Sequence, residues 1–413
     1  MLGVRPLLIT GLLAAVLILS GAGCGTGEKT ATDQDGHNKS QASANETTSS
    51  QTGQMRIDDS GWKSFQSLGD RINSGEQLSL AELSTLGDEN TFRIWRDCQK
   101  SNVPSADRIG RWLEGAFWNE LGRTGPMKLS GARKAMIKSY QYSYDSRESL
   151  DRRIQEWSSP TLQKKFLTRA HRWVDPINLP DHLTIQFLPT LPELRFCSGN
   201  LLVDTGVLLA STNRQLEGQL VAILYRNYQA TQAPAHEGPD DPTPTAENSV
   251  AKTFLFLQNE GIPTWIEDSP NTIFSKDHYS LFKVSFIPDN FFQNGIRSID
   301  FMNEYLPKMF SDPETMNRIG PIFSKEARAG GTLAQAGYAM VGTIIHHLGE
   351  EKLLEVRNSV PDFVAAYQEA ALRNPDPRPI LGAQGSHLPE AMPSLDPKLF
   401  DQLHQLLLRE FPH

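Results

Sequence analysis

Helical periods run along most of this sequence and are interrupted once by a short block of alternating residues. That single change of period restricts the fold more than any other feature. HLTIQFLP at 182–189 and LRFCSGNLLVDTG at 194–206 alternate and carry β-branched or aromatic side chains, which predicts two or three short strands. Before the block, period and caps predict helices at 61–73, 104–122, 130–144 and 147–171. After it they predict helices at 214–230, 249–260, 288–310, 332–348, 350–358, 360–372 and 397–410. A small sheet embedded among helices is an α+β fold, rich in helix.

The first fifty or so residues stand outside that fold. MLGVR gives a short basic start, PLLITGLLAAVLILSGAG an apolar run, and Cys24 closes the phrase SGAGC. The pattern reads as a signal peptide over 1–23, and SGAGC resembles the lipidation box of bacterial lipoproteins, with Cys24 as the acylated first mature residue. Gly21 replaces the usual Leu of that box, so ordinary cleavage or retention as an anchor is the alternative. Residues 25–54 contain no large apolar side chain and cannot bury enough surface to order themselves. An acylated Cys24 and a polar tether over 24–55 make a coherent device for holding a domain at a membrane surface, in an extracytoplasmic cell-envelope location. Cys98 and Cys197, the other two cysteines, could pair in an oxidising compartment, but their spacing carries no distance information.

The formal net charge is −8, and no basic stripe is interleaved with aromatics, so nothing points to nucleic acid. The sequence has no phosphate-binding GxxxxGK[ST], no GxSxG and no paired CxxC. The acidic group Glu237, Asp240 and Asp241 lacks the evenly spaced oxygens of a calcium loop. His236 lies in a Pro-rich stretch that is a poor place to preorganise a ligand. Trp62, Trp95, Trp112 and Trp265 read as core or groove lining.

LEGQLVAILYRNYQ, residues 216–229, is a helix with two different faces. Leu216, Leu220, Ile223 and Leu224 have core spacing, while Gly218, Ala222, Arg226 and Gln229 share the other side. The longer run GNLLVDTGVLLASTNRQLEGQLVAILYRNY, 199–228, resembles the strand, turn and helix that introduce the HExxH motif of gluzincin-type zinc metallopeptidases. In that likeness Ala222 and Arg226 take the places of the two His ligands and Ile223 that of the general-base Glu. An intact motif sets two imidazoles at i and i+4 on one zinc and a Glu on the metal-bound water. Alanine has no lone pair, isoleucine no base, and arginine stays protonated.

Two later phrases extend the resemblance. LQNEGIPTWIED, 257–268, is similar to the phrase that carries the third zinc ligand in such peptidases, which implies Glu260 for that position. AGYAMVGTIIHHLGEEKLLEVRNSVPDFVAAYQEA, 336–370, is similar to their downstream segment through Gly337, Tyr338, Gly349, Leu353, Pro361, Phe363 and Tyr367. The resemblance implies a zincin-like domain over 181–413, preceded by an N-terminal helical region over 56–180. It implies a motif that has lost its catalytic residues, no zinc or other cofactor, and a cleft with Glu260, Arg226, Tyr338 and His346 as candidates. The resulting expectation is a membrane-tethered pseudopeptidase that binds a peptide or an envelope protein. An active hydrolase with a relocated site and a structural envelope lipoprotein are the alternatives. Arg226 is expected to pair with Glu260 across the vacated zinc position, with Gly218 and Ala222 leaving room for its side chain.

Overall fold

The computed structural model describes residues 54–98, 105–118, 131–180, 182–190, 194–232, 245–267, 291–327, 333–373, 380–381, 387–388 and 393–412. By its contacts the chain divides after Ser50, and everything described lies in the unit that begins at Gln51. The signal segment, Cys24, the tether up to residue 53 and the stretch holding His236, Glu237, Asp240 and Asp241 lie outside the described residues.

The first element straddles the expected boundary between the tether, 24–55, and the helical region, 56–180, and is a strand that neither expectation included. Gln54–Asp58 (β1) pairs in parallel with His182–Leu188 (β2), setting Met55 opposite Leu183 and Ile57 opposite Ile185. Asn200–Asp204 (β4) lies parallel to the other edge of β2, and Leu194–Cys197 (β3) closes the order β1-β2-β4-β3 as an antiparallel edge. Burial explains the order. β2 is almost continuously buried from Leu183 to Leu188, as a strand covered on both faces must be. Ser198 and Gly199 turn the β3–β4 hairpin at φ 48° and 78°, the left-handed pair that matches strand twist and that glycine favours.

Helices make up the rest. Ser60–Asn73 (α1), Leu80–Asp88 (α2), Asn90–Asp97 (α3) and Ala106–Trp118 (α4) are followed by Gly131–Asp145 (α5), Arg147–Trp157 (α6) and Pro160–Trp173 (α7). The sequence reading made one helix of 147–171. Ser158 and Ser159 break it, Pro160 opens α7, and Ser159 caps the Leu162 N–H. It also passed over α2, although Ser79 and Glu82 form a complete capping box there. The DTG phrase, read as strand, starts a short helix instead, Thr205–Ala210 (α8), because buried Asp204 accepts from the Gly206 and Val207 N–H groups. Asp204 also accepts from the Thr190 N–H at 2.8 Å, tying the end of β2 to this turn.

Asn213–Gln232 (α9) and Ala246–Ile266 (α10) follow. The expectation that the second of these helices ends at residue 260 fails. α10 runs on through Pro263, whose missing N–H costs one bond in the last turn and does not stop the helix. Then come Phe291–Ser311 (α11), Pro313–Glu326 (α12), Ala334–Leu348 (α13), Glu350–Val356 (α14), Val360–Leu372 (α15) and Pro397–Glu410 (α16). The described part is thus helix-rich α+β with a four-stranded sheet. One continuous apolar cluster runs from Trp62 to Leu407. Cys98 and Cys197 form a disulfide with Cα atoms 6.0 Å apart, pinning the end of α3 to β3 and closing the question that spacing left open. Among the described residues no helix is long and apolar enough to cross a membrane.

Candidate functional site

The site is built where α9 meets the end of α10. Leu216, Leu220 and Leu224 are buried and fix the core side of α9, and Ala222 on its other face is fully buried too. A Cβ at Gly218 would stand 2.5 Å from the Glu267 carbonyl oxygen and 2.9 Å from that of Ile266. The small residue therefore lets the last turn of α10 lie directly on α9. It does not make room for an arginine side chain, as the sequence had suggested.

That approach brings three charges together. Glu260 and Glu267 are seven residues apart on and just beyond α10 and so lie on one side of it. The Arg226 guanidinium donates from Nη1 to Glu267 Oε1 at 2.7 Å. The Arg226 side chain is 41 % exposed and the Glu267 side chain 12 % exposed, so the pair lies at a half-open rim. Burial works against the Arg226 charge, but the Glu267 and Glu260 carboxylates outweigh it and hold its pKa above the ordinary value. Burial raises the Glu260 pKa above its ordinary 4.5, Arg226 pulls it back only in part, and the Glu267 charge adds to the rise. Arg226 therefore does find an acidic partner on α10, but its hydrogen bond goes to Glu267. Glu260 acts on it through its charge. The sequence reading missed Glu267 because it stopped the helix before the residue; the seven-residue spacing from Glu260 was the available signal.

The other candidates fall in different places. Ile223 packs partly buried against the core. Tyr338 is buried on α13, its ring centroid 5.4 Å from that of Trp265 on α10. α13 reaches α10 through glycine: a Cβ on Gly337 would be 2.0 Å from the Leu257 carbonyl oxygen, and one on Gly261 would be 2.4 Å from that of Gly337. His346 is exposed in the last turn of α13, edge-on to His347 at 4.7 Å. Among the described residues no hydrogen bond or ion pair joins it to Arg226 or Glu260. A further carboxylate went unnoticed in the sequence. Glu217, one residue before Gly218, has a side chain only 3 % exposed and faces Lys165 and Arg169 of α7.

Residues 121–376, more than half of the chain, match the model of a family described as "Putative zinc dependent peptidase (DUF5700)". No curated protein and no solved structure matches the chain. Zinc is the group such a description implies, and the side chains at this spot do not fit it. Of the positions that the resemblance implies for the ligands, Ala222 offers no donor and Arg226 carries a fixed cation with no lone pair, so Glu260 alone of the three could ligate a metal. Among the described residues no three His, Cys, Asp or Glu side chains are grouped to hold a metal ion.

Proposed function

The chain belongs to this zinc-peptidase-like family, and from that premise we propose that it keeps the peptidase scaffold, has lost the chemistry, and serves as a membrane-tethered module that binds a peptide or an envelope protein. One observation carries the reading: Arg226, at the position where the motif's second histidine would stand, is committed at 2.7 Å to Glu267 with Glu260 beside it. An internal cation between two carboxylates supplies the positive charge that a metal would supply, and it leaves no lone pair to bind one. The walls of a peptide cleft do not depend on the ion, so binding can outlast catalysis.

The extracytoplasmic part of the reading is supported by the Cys98–Cys197 disulfide, which persists in oxidising compartments. It is supported as well by the order of apolar run, Cys24 and polar tether in the sequence. The deciding experiment is elemental analysis of natively purified protein, paired with a peptidase assay with and without chelator. Substoichiometric zinc and no chelator-sensitive turnover are expected. About one zinc per chain together with chelator-sensitive turnover would overturn the proposal in favour of a hydrolase with a relocated site. Mass spectrometry of the same preparation should find an acylated Cys24 at the mature N-terminus; an unmodified terminus elsewhere removes the lipid anchor.

A further inference from the structure

Beside the Arg226 cluster, a cleft of about 600 Å³ opens between α7 and α9 and is closed off by the end of α10 and the start of α14. One helix supplies most of its charge. Lys164, Lys165, Arg169 and Arg172 of α7 line it against only two carboxylates, Glu217 and Glu350. A cationic hollow on a chain of net charge −8 is a local concentration of charge that its own carboxylates do not neutralise.

The partners of these cations are only partly engaged. Arg172 is taken up by Glu350 and Glu351, each at 3.0 Å. Lys165 stands 3.4 Å from Glu217 Oε2 and Arg169 Nη1 3.6 Å from Oε1, which is attraction without a good hydrogen bond, while Arg169 Nη2 is held by the Ile266 carbonyl oxygen at 2.7 Å. Lys164 is exposed and has no ion pair among the described residues. Glu217 Oε2 is buried and accepts no hydrogen bond from the described residues. A buried carboxylate oxygen with an empty acceptor site is costly to keep, so a donor arriving with a ligand would be well received. The apolar part of the lining is Trp173 of α7 with Trp265 and Ile266 of α10; Trp173 and Ile266 are buried, and Trp265 is the partly exposed one.

We propose that this cleft binds the free C-terminal end of a peptide. A C-terminal residue carries the three things the cleft asks for within a few bonds of each other. Its carboxylate meets Lys164 and Lys165, its own amide N–H reaches the Glu217 carboxylate, and its side chain lies against Trp265. Inorganic phosphate lacks the apolar part, and a fatty acid lacks the N–H. A volume near 600 Å³ suits one or two residues. The inference shares with the proposed function only the class of ligand and uses none of the Arg226 cluster.

Tryptophan fluorescence of the full chain, titrated with Ala-Ala-Leu as free acid, the same tripeptide as amide, laurate and inorganic phosphate, tests it. The free acid should saturate, with the amide weaker by about tenfold or more, because a charge-assisted contact is lost. Lys164→Glu, at an exposed position, should leave the melting temperature unchanged. It should weaken the acid by about tenfold and not the amide. Equal binding of acid and amide, laurate or phosphate binding as tightly as the acid, or no saturation by the acid would each overturn the proposal. Zinc content plays no part in this readout, so either reading can fail while the other stands.

Discussion

Two carboxylates on the same side of α10 are held in opposite ways, and the difference is measurable. Glu267 is the hydrogen-bond partner of Arg226, whereas Glu260 is the half-buried neighbour whose pKa is pushed up. A carboxyl whose folded pKa is raised binds its proton more tightly in the folded chain. Its contribution therefore favours folding below the ordinary value of 4.5 and is lost as pH rises through the folded value. Glu260→Gln removes that loss and should unfold at higher urea than wild type at pH 7, with the gap closing once the pH falls below 4.5. Glu267→Gln should move the other way, by about 1 kcal/mol, since Arg226 is partly exposed and solvent screens the pair. If Glu260→Gln were the more damaging substitution at pH 7, Glu260 would be the true partner of Arg226. The residue types at this spot were legible in the sequence. Their pairing was not, because it depends on whether Pro263 ends a helix, and the packing over Gly218 decides that.

At the scale of elements, the joints that hold the site are glycines. α10 lies on α9 at Gly218 and on α13 at Gly261 and Gly337, backbone against backbone. Gly337→Ala would set a methyl 2.0 Å from the Leu257 carbonyl oxygen, a contact that only a shift of α13 relieves. Overpacking of this kind costs about 1–3 kcal/mol and should show as a lower thermal midpoint. Once the helices have been pushed apart, Gly261→Ala should cost less in the Gly337→Ala background than alone, a non-additivity expected of residues sharing one contact. Strictly additive losses would mean that the two glycines do not share a joint. GYAM and NEGI were noticeable as phrases, yet their reason is invisible along a single helix, because a close crossing is a property of two. Helices with a strong apolar stripe, such as α1 and α16, could be read from period alone. α2 is short, and β1 has only five residues to show its alternation.

At the scale of the whole molecule, the sequence showed a sheet set among helices but not how the N-terminal region is secured to it. Two links do this. β1 adds a parallel strand beside β2, and Cys98–Cys197 ties the end of α3 to β3 across 99 residues of sequence. Neither is recoverable from periodicity, since a parallel pairing across more than a hundred residues and a long-range disulfide both depend on where the helices between them fold back. A cross-link over a loop of that length restricts the unfolded chain strongly, with a contribution of about 3–5 kcal/mol when native geometry is unstrained. Replacing both cysteines with alanine should lower stability by about that amount in denaturant titration. It should leave the α9–α10 site intact, because neither α9 nor α10 carries a bridged cysteine and the Arg226–Glu267 hydrogen bond is made between α9 and the end of α10. The same loss should appear when wild-type protein is reduced, and it should be absent when the double variant is treated with reductant. If reduction left the wild-type midpoint unchanged, the β1–β2 pairing and the apolar packing against the sheet would hold the helical region without help from the disulfide.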